Sequence, residues 1–146
     1  MEKQMNNRVQ TRLLFVCVEN SNRSQMAEAF AKHHGGERVL AASSGSRPSG
    51  VVNPKAIAAM RRRGIDISTH QSKPLDQLPQ VTWDWVITMG CGDACPFIPS
   101  VHHDDWKLPD PKHMEPTEFD QVRDEIERRV VELLCRCNVP SQNEGK

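Results

Sequence analysis

A change in hydrophobic periodicity near the N-terminus constrains the fold of this chain most strongly. Residues 12–18 read RLLFVCV, a short, mostly apolar and partly β-branched run that is suited to a central strand. From Ser24 the apolar side chains recur at steps of three and four residues until Gly35 and Gly36, which indicates a helix and its C-terminal end. A strand that passes through a short loop into a helix is typical of a parallel α/β architecture.

The alternation of strand and helix continues along the chain. Further strands are predicted at residues 39–43 and 83–89, and a short fourth strand at 100–106. Such an order implies parallel strands joined by right-handed crossovers, with helices on both faces. The sequence therefore predicts an α/β fold: one three-layer domain with a four-stranded parallel sheet, in which about residues 1–10 and 139–146 are flexible tails.

Two more helices are predicted from their boundary signals. Asn53 and Pro54 are a capping residue and a proline at the first helical position, and the helix that follows stops at Gly64. The last helix begins near Thr117. Its apolar residues form one continuous face: Phe119, Val122, Ile126, Val130, Leu133 and Leu134.

Charge and composition exclude several classes of partner. Nineteen basic and nineteen acidic side chains cancel, so no general field attracts nucleic acid or an acidic membrane. No apolar stretch approaches the ~20 residues that a membrane helix needs, and the N-terminus lacks the apolar core of a signal peptide. We therefore expect a cytoplasmic location, and we separately expect a monomer. In that compartment the five cysteines are expected to be catalytic, redox-active or metal-binding rather than a disulfide framework.

The loop after the first strand, CVENSNRS, carries the strongest chemical signal. Its backbone N–H groups can form a nest for an anion, and the following helix adds its positive N-terminal end. Arg23 offers a planar fork to a tetrahedral oxyanion, and the same surroundings favour Cys17 as the attacking thiolate. Ser24 can hydrogen-bond the sulfur, and Asn20 can brace the loop from inside. The predicted anion-binding residues are Asn20, Ser21, Asn22, Arg23 and Ser24.

Residues 16–30, VCVENSNRSQMAEAF, resemble the phosphate loop of the low-molecular-weight protein tyrosine phosphatase superfamily, and more narrowly of its arsenate reductase branch. The similarity extends from about residue 13 to residue 134. It includes GVVNPKAIAAMRRRGIDIS (50–68), VITMGCGDACP (86–96) and DWKLPDP (105–111). Together these motifs are specific, although none of them is specific alone.

The resemblance implies roles for three residues of the first chemical step. Cys17 is implied as the nucleophile, Arg23 as the oxyanion clamp and Asp110 as the general acid. The chemistry agrees for Asp110, because a leaving oxygen on phosphorus or arsenic needs a proton. A rigid turn at 109–111 is an equally good explanation of that motif from the sequence alone.

The two branches of the family differ in the second step. A phosphatase uses water to cleave the cysteine–phosphate bond, whereas an arsenate reductase brings a second thiol to Cys17 and releases arsenite. The resemblance places recycling cysteines at Cys91 and Cys95, and we interpret Cys91 as the resolving thiol and Cys95 as the terminal one. The first hypothesis is therefore an arsenate reductase. A phosphatase is the alternative, and a thiol-based arsenic or metal sensor is the third.

The sequence leaves other interpretations of these cysteines open. Cys91 and Cys95 could be simple packing residues, since free cysteine is commonly buried. They could also bind zinc, although Cys-x3-Cys is not the compact Cys-x2-Cys knuckle. The further zinc ligands would come from His102 and His103 or from Cys135 and Cys137.

The surroundings of the loop bear on its substrate. Lys112 and His113 follow the Asp-Pro element, where the phosphatase branch carries aromatic residues, and this favours a small inorganic anion. Glu19 is expected to face solvent, because a carboxylate in the pocket would oppose anion binding. Arsenate is thus the expected substrate and phosphate or sulfate the competing anions. The expected reductant is an external thiol system, thioredoxin or glutaredoxin with glutathione, and no bound cofactor is expected.

The resemblance also suggests a cation near the loop. Glu28, Ser43 and Asp66 fall where some of these reductases bind a potassium ion. Ordinary capping and surface carboxylates explain the same residues at least as well, and no other metal is expected.

Overall fold

Four parallel strands form the centre of the computed structural model, which describes residues 10–90 and 97–139. The strands are β1 (Thr11–Cys17), β2 (Val39–Gly45), β3 (Trp83–Thr88) and β4 (Ser100–Asp105). Their order across the sheet is β2-β1-β3-β4, and every pairing is parallel. The predicted four-stranded parallel sheet is confirmed.

Three α-helices connect and cover the strands. They are α1 (Arg23–Gly35), α2 (Pro54–Arg62) and α3 (Pro116–Arg136), each within a residue or two of its predicted start. Asn53 caps α2 as expected, since its side chain accepts a hydrogen bond of 2.9 Å from the backbone N–H of Lys55. The six apolar residues that were predicted to form one face of α3 are all buried.

The two faces of the sheet are covered differently. Leu13 and Phe15 of β1 point into the larger core, to which all three α-helices contribute. Leu14 and Val16 point the other way, into a smaller cluster. That cluster is covered by the segment around a one-turn 3₁₀ helix, Leu75–Gln77, so the layer on this side is thinner than the helical one.

The topology places one crevice at the carboxyl ends of the strands. The chain moves from β1 to β2 on one side and then to β3 on the other, so the strand order reverses at β1. Ligands of open α/β sheets bind outside the carboxyl ends at such a switch point. Cys17 is the last residue of β1 and lies at this point.

Some of the predictions concern residues outside the described ranges. Cys91 and Cys95 are among them, as is most of each predicted tail. At the C-terminal boundary Val139 is buried, and its N–H donates to the Leu134 carbonyl at 2.8 Å. In the part of the chain that the structure describes, no helix is long and apolar enough to cross a membrane.

Candidate active site

The loop between β1 and α1 is held from outside by hydrogen bonds that its carbonyl groups accept. Four of its carbonyl oxygens accept hydrogen bonds of 2.8 to 3.2 Å from N–H groups of the segment after β2. Cys17, Val18, Glu19 and Ser21 are bound in this way by Ser46, Arg47, Ser49 and Asn53, respectively. Because a trans peptide points its N–H away from its C=O, the N–H groups that follow these carbonyls turn towards the inside of the loop. The predicted nest for an anion therefore has a structural basis.

The sulfur of Cys17 lies at the bottom of this loop and has two hydrogen-bond partners. The side chain is almost completely buried. The Ser24 hydroxyl lies 2.9 Å from Sγ, and the backbone N–H of Asn20 donates to Sγ at 3.3 Å. Asn20 Nδ2 donates to the same hydroxyl at 2.8 Å, so the hydroxyl proton is free to point at the sulfur. Two donors on one sulfur is the arrangement that a thiolate accepts.

Asn20 holds the loop together from inside, as predicted. Its backbone is left-handed, with φ at 53°, which asparagine tolerates better than most residues. Its Oδ1 accepts from the Gln25 side chain at 3.0 Å and from the backbone N–H of Lys73 at 2.9 Å. Gln25 is in turn 3.0 Å from Nδ1 of His70, and burial lowers the pKa of that imidazole. His70 in its neutral form thus holds the Gln25 side chain in place, and Gln25 in turn holds the Asn20 side chain.

Arg23 is the first residue of α1 and is directed at the loop after β4. Its guanidinium is buried, and Nη1 donates to the Leu108 carbonyl at 3.0 Å. Within the described residues, its Nε and the Oδ1 of Asn22 are buried polar atoms without a hydrogen-bond partner. A buried N–H that lacks a partner is costly, and an oxyanion in the loop could accept from Nε.

Asp110 lies at the edge of the same pocket. Its Oδ2 is 3.9 Å from Nη2 of Arg23, and its Oδ1 accepts from the backbone N–H of Lys112 at 3.1 Å. About half of the Asp110 side chain is exposed, so the carboxyl group is in contact with solvent. The pocket has a volume of about 430 Å³. It is lined by Cys17, Val18, Glu19, Ser21, Asn22, Arg23, Gly90, Leu108 and Asp110.

Glu19 was expected to face solvent, and the structure confirms this only in part. The residue lines the pocket, and its carboxylate forms an ion pair of 3.2 Å with the Lys112 ammonium group. Its side chain is 40 % exposed, so solvent still reaches it. The negative charge that would oppose an anion is thus accompanied by a positive one.

The suggested cation site is only partly assembled. The Ser43 hydroxyl donates to Glu28 Oε1 at 2.6 Å, so these two residues do lie together. Asp66 instead accepts from the backbone N–H of Ser68 in its own exposed turn. The ammonium groups of Lys32 and Lys73 lie 2.5 and 3.9 Å from the Glu28 carboxylate, so positive charge is already present there. The potassium site stays a prediction.

Two glycines shape the site and are not among the residues predicted from the sequence. A Cβ on Gly45, at the end of β2, would lie 2.5 Å from the Val18 carbonyl oxygen. Gly90 follows β3 with φ at +77°, and a Cβ there would lie 2.8 Å from Nη1 of Arg23. The sequence shows two glycines in the segment GCGDACP after β3, but it does not show that the Arg23 guanidinium lies against Gly90.

We predict that Gly90→Ala lowers the rate of the first chemical step by about 10²-fold, because the added methyl group displaces the Arg23 guanidinium from its position. Gly64→Ala is the matched control, since Gly64 also has a positive φ, +89°, but no atom within 4 Å of the added Cβ. Both variants should lose about 1 kcal/mol of unfolding free energy in urea titrations. Equal activity of the two variants would contradict the assigned role of Gly90.

The structure brings together most of the predicted site residues. Cys17, the loop residues 20–24 and Asp110 surround one pocket or brace it, whereas Cys91 and Cys95 lie outside the described ranges. Within residues 10–90 and 97–139, no group of three or more His, Cys, Asp or Glu side chains could hold a metal ion. Cys135 is exposed, and the Cys137 thiol has its pKa raised by burial.

Comparison with known proteins identifies relatives of this chain. The sequence model described as low molecular weight phosphotyrosine protein phosphatase matches residues 12–143. Arsenate reductase 2 of Staphylococcus epidermidis is 43% identical over 128 residues, which are 85% of this chain and 96% of that relative.

Solved structures are similar over the same region. A structure described as an arsenate reductase in the phosphate binding state has a TM-score of 0.78 and 37% identity, with 87% of this chain and 98% of that one covered. A thioredoxin-dependent arsenate reductase of Corynebacterium glutamicum has a TM-score of 0.74 and 33% identity. The match covers 93% of this chain and 66% of the Corynebacterium chain.

Proposed function

The chain belongs to the low molecular weight phosphotyrosine protein phosphatase family, and we infer that it is an arsenate reductase, an oxidoreductase of that family. The identity to named arsenate reductases over most of the chain carries this inference and does not favour the phosphatase alternative. The geometry of the loop supports the same chemistry, because it surrounds a cysteine sulfur with donors suited to a tetrahedral oxyanion.

In the proposed first step, the Cys17 thiolate attacks the arsenic atom of arsenate. A sulfur–arsenic bond forms and an arsenic–oxygen bond breaks, and the oxygen leaves as water after it is protonated. Asp110 would supply a proton, since its carboxyl group lines the pocket and is open to solvent. Arg23 and the inward N–H groups would stabilise the negative charge on the remaining oxygens. Arsenic is still pentavalent at this point.

In the proposed second step, the thiolate of Cys91 attacks the Cys17 sulfur. A sulfur–sulfur bond forms, and the electron pair of the sulfur–arsenic bond goes to arsenic, which leaves as trivalent arsenite. The two thiols together supply both electrons. The thiolate of Cys95 then attacks Cys91, which frees Cys17 and leaves a Cys91–Cys95 disulfide for reduction.

The substrate is arsenate, and a thiol reductant has to restore the enzyme after each turnover. We propose thioredoxin as this reductant in preference to glutaredoxin with glutathione. A relative that is 33% identical is described as thioredoxin-dependent, and a Cys91–Cys95 disulfide would be a suitable thioredoxin substrate. We further propose that the chain acts as a monomer without a bound cofactor.

A thiol count after a single turnover tests the proposed function. The reduced chain has five thiols, and one equivalent of arsenate should remove two of them. Peptide mass mapping should then locate the disulfide between Cys91 and Cys95. We predict that Cys91→Ser abolishes this loss, because the Cys17 adduct then has no resolving thiol. Cys135→Ser is the control, since this exposed thiol has no part in the proposed cascade and the variant should still lose two.

Other outcomes would point to the alternatives. Hydrolysis of an aryl phosphate with no arsenate-dependent loss of thiols would support the phosphatase. Retention of arsenic or of a metal at a fixed stoichiometry, without turnover, would support a sensor. If Cys91→Ser still loses two thiols, Cys91 is not the resolving residue.

A further inference from the structure

An ion pair joins a residue that lines the pocket to the turn that carries Asp110. Glu19 belongs to the loop that follows the nucleophile, and Lys112 stands two positions after Asp110 in the turn before α3. The Lys112 ammonium lies 3.2 and 3.4 Å from the two carboxylate oxygens of Glu19, although the residues are 93 positions apart in the sequence. The pair therefore connects the nucleophile loop to the turn that carries Asp110.

The backbone is held by hydrogen bonds at both ends of this connection. The Glu19 carbonyl accepts hydrogen bonds from the Ser49 N–H at 3.1 Å and from the Ser72 hydroxyl at 2.8 Å. The Lys112 N–H donates to Asp110 Oδ1 at 3.1 Å. Only the two side chains have to rearrange for the pair to open, and they can do so without a change in the loop.

The pair is too exposed to be explained as a stabilising contact. The side chains of Glu19 and Lys112 are 40 % and 44 % exposed, and solvent-exposed ion pairs of this kind contribute little to folding. A glutamate beside an oxyanion site would also weaken anion binding if it were unpaired. The arrangement thus calls for an explanation in terms of what enters the pocket.

The position of the pair bears on the size of the substrate. A leaving oxygen departs roughly in line with the attacking sulfur, on the side of the group that protonates it. In this site that side is the Asp110 turn, and the organic part of an ester would have to extend past it. The Glu19–Lys112 pair joins this turn to the loop that follows Cys17, next to the path of such an organic group, whereas arsenate has no substituent of that kind.

We propose that Glu19 and Lys112 form a specificity-determining pair that admits inorganic tetrahedral oxyanions and disfavours phosphate monoesters. The inference rests on the proposed function only in that both assign the chemistry to the same pocket. An ester would have to open the pair or bind with its organic group misplaced, while an inorganic oxyanion binds beneath the closed pair.

The ratio of two rates measures this property directly. For each variant, kcat/KM is measured for hydrolysis of p-nitrophenyl phosphate and for arsenate-dependent loss of thiols. Removal of a single charge changes the affinity for every anion, and the ratio cancels that general effect. The variants are Glu19→Gln, Lys112→Met and the exchanged pair Glu19→Lys with Lys112→Glu. Glu125→Gln is the control, because it breaks ion pairs with Arg128 and Arg129 on α3, whose residues do not line the pocket.

We expect both single variants to raise the ratio of ester to arsenate about threefold to fivefold, as suits the loss of one exposed ion pair by substitutions that nearly keep side-chain size. The exchanged pair should return the ratio to within about twofold of the wild type, because the contact is rebuilt with its charges reversed. Glu125→Gln should leave the ratio unchanged.

An unchanged ratio in both single variants would overturn the proposal. So would an exchanged pair that behaves like the single variants, because the effect would then belong to individual charges rather than to the contact. If the wild type shows no arsenate-dependent loss of thiols, the proposed function fails on its own. The pair is then tested with a second ratio for each variant, in which the inhibition constant of inorganic phosphate takes the place of the arsenate rate. That constant measures anion binding without an ester group.

Discussion

Cys17→Ser is expected to abolish arsenate-dependent loss of thiols, with a decrease of at least about 10³-fold in the rate of the first step. A serine hydroxyl is a far weaker nucleophile than a thiolate at neutral pH, and it cannot form the sulfur–arsenic bond on which the second step depends. The substitution changes the volume little, so the hydrogen bonds around the position should persist. Stopped-flow measurement with one equivalent of arsenate is the direct test.

The interpretation of Cys17→Ser depends on intact anion binding. Inorganic phosphate should still raise the melting temperature of the variant, because the loop, Arg23 and Asn20 remain in place. A variant that no longer responds to phosphate would have lost the site rather than the nucleophile. Consumption of arsenate at the wild-type rate by a folded Cys17→Ser protein would show that another residue attacks the substrate.

Arg23→Lys should lower kcat/KM for arsenate by about 10²- to 10³-fold, the usual effect of removing a donor that stabilises an oxyanion. Lysine keeps the positive charge but has no planar fork. Its three N–H groups radiate from one nitrogen, so an ammonium that donates to the Leu108 carbonyl cannot also present the coplanar pair of N–H groups that a guanidinium offers to two substrate oxygens. We expect the loss to occur mainly in kcat, with a smaller increase in KM, because charge on the oxygens grows in the transition state.

Arg62→Lys is the matched control for this change. Arg62 also forms a two-point contact, with the Asp120 carboxylate at 2.6 and 3.0 Å, but it lies on the outer surface between α2 and α3. The control variant should keep wild-type kinetics and lose at most about 1 kcal/mol of stability. If the two variants have the same activity, the guanidinium geometry of Arg23 does not matter for catalysis.

Much of the fold was predictable because periodicity is a local property of the sequence. The change of period after Val18 and the capping signal at Asn53 identified elements that the structure confirms. The apolar face of α3 was recognisable for the same reason. Element boundaries differ by a residue or two, since hydrogen bonding of the terminal residues depends on neighbouring segments. β2, for example, extends to Gly45 because it pairs with β1 as far as Cys17.

The site could be predicted only where its residues are close in sequence. Cys17, Asn20, Arg23 and Ser24 fall within eight consecutive residues, and their mutual contacts could be foreseen. Other contacts join residues that are far apart, as when Arg23 meets the Leu108 carbonyl 85 positions later. No local pattern encodes such distances. The role of Gly90 and the pairing of Glu19 were missed for this reason.

The carbonyl groups of the nucleophile loop are hydrogen-bonded to the segment outside it, and this bears on how the enzyme distinguishes its substrate from phosphate. A cradle built from backbone N–H groups is set during folding and responds to shape and charge, which arsenate and phosphate share. Affinity alone therefore discriminates poorly between these two anions. Their fates diverge only after capture, because arsenic accepts the electron pair of the sulfur bond and phosphorus does not. We therefore expect fidelity in this enzyme to be redox in origin, with abundant phosphate slowing turnover without being converted.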